Sequence, residues 1–260
     1  MNLKNRVALV TGGAGHLGSA ICETFAECGA DVVIIDCNKE LCSEKCDQLI
    51  RDYGVNALPL VLDLADEKKL KKVPAQVLKQ FGSVDILVNC AALVGTSSLK
   101  GWGVEFQKQD PETWRLALEI NLTAPFILTQ ACSEALIQSR HGSVINIGSI
   151  YGILGPDMDF YNGTSMGNPA AYSASKGGLI QMTRWLATVL APHVRVNTIS
   201  LGGVYRGQPE TFHAKYVKKT PLERMATEED IKGAASFLAS DLSAYITGQN
   251  IIVDGGFSTW

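Results

Sequence analysis

The chain has 260 residues, 46% of them hydrophobic, and a formal net charge of −3. So high an apolar share excludes intrinsic disorder. Mild acidity without a long Lys/Arg run excludes the basic footprint of a nucleic-acid binder.

From the N-terminus, Arg6–Thr11 reads as a strand, and Met1–Val10 shows no apolar h-region of a secretory signal. A glycine-rich turn, Thr11–Gly18, leads into a helix over 17–29. Then come a strand at Asp31–Asp36, a helix over 39–53, a strand at Asn56–Leu62, a helix over 66–81 and a strand at Val84–Asn89. A helix over 111–140, a strand at Gly142–Ser149, a helix over 170–191, a strand at Val194–Ser200, a helix over 227–239 and a strand at Gln249–Val253 complete the series. The strands are nearly all apolar, as expected where both faces are covered. Their alternation with helices predicts βαβ units and a parallel sheet, an α/β fold. With no linker and no repeat, residues 1–260 are expected to form one domain. Two stretches break the rhythm, Ile150–Pro169 and Gly202–Pro221, the second with a short helix expected inside it. Both follow a strand, at the end of the sheet where open α/β folds bind ligands, and are expected to be substrate loops.

The first turn carries Gly13, Gly15 and Gly18 in GxGxxG spacing. Glycines let the backbone approach a pyrophosphate, and the following helix offers free N–H groups and a positive dipole end. Gly12, Gly15, His16 and Leu17 are therefore candidate cofactor contacts. Asp36 ends the second strand, where a carboxylate accepts hydrogen bonds from the adenosine hydroxyls and repels a 2′-phosphate. The expected cofactor is NAD rather than NADP. Asp63, with Leu64 beside it, is placed to reach the adenine. Each carboxylate has a second reading, as the cap of the next helix.

Tyr172 and Lys176, at i and i+4, share one helix face. A free phenol titrates near ~10. An adjacent ammonium and a nicotinamide cation favour phenolate and move it towards neutral pH, which suits a general acid/base for alcohol–carbonyl interchange. Ser149 ends an apolar strand and is a candidate partner of the reacting oxygen, or else a strand-end serine. Asn121 is polar within an apolar helical run and needs partners. Seven cysteines without a signal suggest reduced cytosolic thiols. The Cys37, Cys42, Cys46 group lacks metal-site spacing, so no metal is expected. With no run of ~18 apolar residues, no membrane span is expected and the chain reads as cytoplasmic.

Taken together, these residues resemble the short-chain dehydrogenase/reductase family. Thr11–Gly18, Asp63, Asn89-Cys90-Ala91-Ala92, Asn121, Ser149, Tyr172-xxx-Lys176, Asn197 and Gly248-Gln249 with Asp254-Gly255-Gly256 carry the resemblance from Arg6 to Gly256. It implies a single Rossmann-like, doubly wound domain with a seven-stranded parallel sheet and helices on both faces. It implies Tyr172 as acid/base, Ser149 on the substrate oxygen, Lys176 on the nicotinamide ribose and Asn121 holding a relay water. Asn89 and Ala91 would line the cofactor, and Val204 would meet the carboxamide through its backbone. Phe237-Leu238-Ala239 and Ile251-Ile252-Val253 resemble the family's association surface, which implies a homodimer or homotetramer.

Three departures stand out. His16 occupies the place of the pattern's middle glycine. Leu201-Gly202-Gly203 replaces the usual Pro-Gly, which puts the rigidity of that loop in question. The stretch between Ser149 and Tyr172 is longer than usual and rich in hydrogen-bonding side chains over 156–168, where a flap or subunit contact is the plainer reading. With Tyr151, Tyr161 and Arg206 as candidate substrate contacts, and Gln208 and Lys215 near them, the substrate reads as a small polar molecule, anionic or sugar-like. The Ile150–Gly177 region also resembles members of bacterial surface-sugar and flagellin-modification pathways. The expected activity is NAD-dependent interconversion of a secondary alcohol and a ketone. The alternatives are an NADPH-dependent 3-oxoacyl-type reductase and a non-catalytic NAD-binding regulator.

Overall fold

The computed structural model describes residues 1–94 and 98–260. Its strands are β1 (Val7–Thr11), β2 (Asp31–Asp36), β3 (Ala57–Val61), β4 (Ile86–Asn89), β5 (Gly142–Ser149), β6 (Val194–Leu201) and β7 (Asn250–Val253). They form one seven-stranded sheet in the order β3-β2-β1-β4-β5-β6-β7, and every pairing is parallel. Side chains alternate along a strand. Val7 and Leu9 thus enter one core while Ala8 and Val10 enter the other. Helices α1 (His16–Glu27) and α2 (Lys39–Tyr53) cover one face. The other is covered by α3 (Glu67–Leu70), α4 (Val73–Phe81), α6 (Ala124–Ser139) and α7 (Ala170–Leu190), with α5 (Pro111–Leu118) packed against α7. Later in the chain, α8 (Glu210–Lys219) lies in the second long loop, and α9 (Glu229–Ala239) returns to the first face. The strand order reverses between β1 and β4, which opens a crevice above their carboxyl ends.

Two expected helices are interrupted, each near a proline. The 66–81 helix is two pieces, α3 and α4, with Pro74 in the first turn of α4, where its missing N–H costs no helical bond. The 111–140 helix is split by a widened π turn, Glu119–Thr123, ahead of Pro125 in α6. Such turns recur at functional sites. The second readings of Asp36 and Asp63 give way here, because Asn38 caps α2 and Asp66 caps α3.

Both long loops are folded against each other. Short 3₁₀ turns at Ile150–Gly152 and Met158–Tyr161 order the first, and α8 is the helix expected in the second. Phe160 meets Phe212, Tyr216 and Phe257 at centroid distances of 6.2, 6.1 and 6.0 Å, an aromatic cluster that joins the insertion to α8 and the C-terminal turn. The expected association surface needs correction. Leu238 and Ala239 are wholly buried in this chain's own core, whereas Ile252 is exposed on the edge strand β7. Among the described residues no helix is long and apolar enough to cross a membrane.

Candidate active site

A cleft of about 1070 Å³ runs along the carboxyl ends of the strands. At its centre the turn after β1 hugs the end of β4. Gly12 has φ +64° and donates its N–H to the Ile35 carbonyl at 2.7 Å. A Cβ on Gly12 would sit 2.9 Å from Ala91 Cα, and one on Gly18 only 2.0 Å from the Gly12 carbonyl oxygen. The turn therefore accepts no side chain at either place. Gly15, His16 and Leu17 line the cleft beside them, and α1 begins there without a side-chain cap. His16 is tolerated because its side chain points outwards, 76% exposed, with Nδ1 3.8 Å from Glu228. Thr11 Oγ1 accepts from the Cys90 and Ala91 amides at 3.0 and 3.2 Å, which fixes Ala91 at the wall.

At one end of the cleft stand Asp36, Asp63 and Leu64. Each carboxylate holds its own turn, Asp36 accepting from Asn38 N at 3.2 Å and Asp63 from Ala65 N at 2.9 Å. Ile35, Cys37 and Leu62 line the cleft beside them, and the first basic residue after Asp36 is Lys39, which opens α2 and is not among the lining residues.

At the other end are Ser149, Tyr172 and Lys176. Ser149 closes β5, and its hydroxyl accepts from Tyr151 N at 3.2 Å, which caps the 3₁₀ turn. Tyr172 lies in the first turn of α7 with Lys176 one turn further on, its Nζ 5.8 Å from the phenol ring centroid. That ammonium donates to the Ile147 carbonyl at 2.7 Å. The expected drop of the phenol pKa is not what the protein alone produces. Burial pushes Tyr172 above the usual tyrosine value, although hydrogen bonding with Ser149 pulls it back down. Burial also lowers Lys176 to about 8.

Two expected site residues stand behind the wall. Asn89 is 3% exposed and donates to Asn146 Oδ1 at 2.8 Å and to Thr129 Oγ1 at 3.3 Å, so its side chain ties β4 to β5 rather than facing the cleft. Asn121 sits in the π turn. It accepts from Leu93 N at 2.7 Å and donates to Leu93 O at 3.0 Å and Ser175 Oγ at 3.1 Å. Both of its amide protons are thereby committed, while Oδ1 accepts one bond of the two it can take.

Above the catalytic end, Tyr151 and Tyr161 line the cleft, their hydroxyls 3.2 Å apart. The positive charge expected from the second loop is already spent. Arg206 pairs with Glu228 at 2.6 Å, Lys215 donates to the Asp159 carbonyl at 2.6 Å, and Gln208 bridges the Arg206 amide and the Val204 carbonyl at 2.7 and 2.8 Å. Val204 lies at the wall in a parallel bridge with Ala226. The loop that lacks the usual proline is pinned instead by the Gly203 amide donating to the Tyr216 hydroxyl. Sequence reasoning missed Tyr216 and Glu228. Tyr216 follows Phe212 at i+4, an apolar spacing that was legible, whereas nothing local marks Glu228 as Arg206's partner. The cysteines are all free, and among the described residues no cluster could hold a metal ion.

The family model described as Enoyl-(Acyl carrier protein) reductase matches residues 12–258. The chain is 34% identical to the 3-oxoacyl-[acyl-carrier-protein] reductase FabG of Escherichia coli (strain K12), with 98% of each chain covered. It is 29% identical to the Post-translational flagellin modification protein A of Campylobacter coli, covering 98% of this chain and 99% of that one. Among solved structures it is similar to an NAD+-bound xylitol dehydrogenase, with TM-score 0.87, 28% identity and coverage of 98% and 100%. It is likewise similar to a gluconate 5-dehydrogenase from Burkholderia cenocepacia J2315 in complex with NADP and tartrate, with TM-score 0.88, 27% identity and coverage of 100% and 97%. The chain belongs to the short-chain dehydrogenase/reductase family: it is an oxidoreductase acting on CH–OH groups with a nicotinamide dinucleotide, NAD or NADP, as cofactor.

Proposed function

We propose that this chain is one dinucleotide-binding and catalytic domain that uses NAD to interconvert a secondary alcohol and a ketone on a small polar substrate. The observation that carries the reading is one cleft holding both the glycine turn and the Ser149, Tyr172, Lys176 set. The residues fit the dinucleotide. The turn is packed too closely on itself and on Ala91 to admit Cβ atoms at Gly12 and Gly18, and Asp36 and Asp63 line the adenosine end. Two carboxylates lining the cleft, with Lys39 close by in sequence but not lining it, favour ribose hydroxyls over a 2′-phosphate. When bound, the nicotinamide supplies the two-electron redox chemistry.

The chain's own groups do the rest. Ser149 hydrogen-bonds the reacting oxygen, and Tyr172 takes or returns its proton. Lys176 would hold the nicotinamide ribose and, as an ammonium, stabilise the phenolate. Burial raises the phenol, and the charges of the ammonium and of a bound nicotinamide cation would oppose it. Gly12, Gly15, His16, Leu17, Leu64, Ala91 and Val204 complete the cofactor wall, with Tyr151, Tyr161 and Arg206 on the substrate side. Asn121, in the widened turn, would hold the relay water.

The second reading, a 3-oxoacyl-type reductase using NADPH, has the resemblance to FabG in its favour. Titrating NADH and NADPH against the protein's tryptophan fluorescence separates the two. We expect tighter NADH binding, with Asp36→Ala narrowing the gap by about 10-fold. A clear NADPH preference in the unaltered chain contradicts the NAD reading. We also propose that the chain is a cytoplasmic homo-oligomer, a dimer or tetramer, in which the edge strand β7 takes part.

A further inference from the structure

The polar flap over the catalytic end has a pattern of its own, whose role rests on the alcohol–ketone reading of the same site. Tyr161 donates to the Tyr151 hydroxyl at 3.2 Å, and Asn168 Nδ2 donates to the Tyr161 hydroxyl at 3.3 Å. Asn168 Oδ1 in turn accepts from Ser173 Oγ at 3.2 Å, which anchors the row to the first turn of α7. Tyr161 is held from behind by Phe212, their ring centroids 5.5 Å apart. Tyr151 and Tyr161 line the same cleft as the reactive phenol of Tyr172. In either direction of the bond between the two hydroxyls, one phenol proton of the pair meets no acceptor among the described residues. A half-buried phenol left as a donor suits an oxygen supplied by a ligand.

The cations around this row already have partners, two of them acids and two of them main-chain carbonyls. Arg206 is paired with Glu228 at 2.6 Å, Lys215 with the Asp159 carbonyl, and Lys219 with Asp157 at 3.4 Å. Lys176 is turned to the Ile147 carbonyl. A carboxylate or phosphate on the substrate that took Arg206, the guanidinium lining the cleft, would have to break its pair and strand Glu228. A hydroxyl would simply extend the row, and an apolar chain would leave that phenol donor half-buried and unmade.

We propose that Tyr151, Tyr161 and Asn168 form a hydroxyl-reading ledge that selects an uncharged, polyhydroxylated substrate over its carboxylated counterpart and over simple alcohols. The ledge holds the substrate oxygens next to the reacting carbon so that this carbon is presented to Ser149 and Tyr172. These three are positioning residues, and selectivity rather than bare rate reports on them.

The test measures kcat/KM with NAD for four- to six-carbon alditols, the matching aldonates and 2-butanol, in the unaltered chain and in Tyr161→Phe, Asn168→Ala and Tyr172→Phe. We expect at least one alditol to exceed its aldonate by about 10-fold or more. We expect Tyr161→Phe, which keeps the ring packed on Phe212, to cut the alditol-to-butanol ratio by about 10-fold, the scale of one lost hydrogen bond. Asn168→Ala should move the ratio the same way, with an unchanged melting temperature confirming that the flap is folded. A preference for aldonates, or a ratio unmoved by both variants, overturns the ledge. Turnover of 2-butanol that depends on Tyr172 but with no alditol accepted also overturns the ledge, while leaving the alcohol–ketone reading intact. Absence of Tyr172-dependent turnover across the panel overturns that reading and the ledge with it.

Discussion

Lys176 shows most sharply what the site asks of a single residue. It is 3% exposed, and burial lowers its pKa from 10.5 to about 8. In the unfolded chain the ammonium holds its proton up to its ordinary value. Between about pH 8 and 10.5 the unfolded state therefore binds more protons than the folded one, and this group's contribution to stability rises with pH across that window. Below about 8 its cost is constant. Urea unfolding of the unaltered chain and of Lys176→Met from pH 7.5 to 9.5 checks this. The unaltered chain should gain on the variant by about 1–2 kcal/mol over those two units, and a flat difference would show that Lys176 is not held in an unfavourable charged state. Gly18 makes a second residue-scale prediction. A Cβ there falls 2.0 Å from the Gly12 oxygen, so Gly18→Ala must displace the turn. It should cost about 1–3 kcal/mol and weaken dinucleotide binding at least 10-fold in the fluorescence titration. The turn, Asp36 and the Tyr172–Lys176 pair were legible because their chemistry is written in short local spacing. The phenol pKa was not, since desolvation depends on what the fold packs around it.

At the scale of elements, the site depends on two loops acting as one. The insertion after β5 and helix α8 share the Phe160, Phe212, Tyr216, Phe257 cluster, and Lys219 lies over the rings of Phe160 and Phe257 at 5.4 and 5.3 Å. Phe160 is 6% exposed, so Phe160→Ala opens a cavity at that joint. We expect a loss of about 3 kcal/mol in unfolding free energy and faster amide exchange over 157–169 and 210–219, with the sheet unaffected. Exchange confined to the insertion alone would contradict the coupling. The sequence marked both loops by length and polarity but not their mutual packing, because aromatic contacts between residues fifty apart leave no periodic trace. Helix interruptions failed for a related reason. Apolar periodicity runs straight through 66–81 and 111–140, and only the prolines at 74 and 125 hinted at the breaks.

For the whole molecule, the alternation of apolar strands and amphipathic helices was enough to foresee the parallel sheet, since strands buried on both faces admit few other solutions. Association was less legible. Leu238 and Ala239 look like surface apolar residues in sequence but fill the core under α9, which leaves β7 and Ile252 as the exposed part. Sedimentation equilibrium should show a homo-oligomer, and Ile252→Asp should shift it towards smaller species; a monomeric unaltered chain would contradict that proposal. The claim on which all else rests is that one phenol moves the proton beside a bound dinucleotide. It is tested most directly by measuring kcat and the NAD dissociation constant for Tyr172→Phe. We expect kcat to fall by about 10²–10⁴-fold while NAD binds as before; turnover near that of the unaltered chain would show that the proton takes another path.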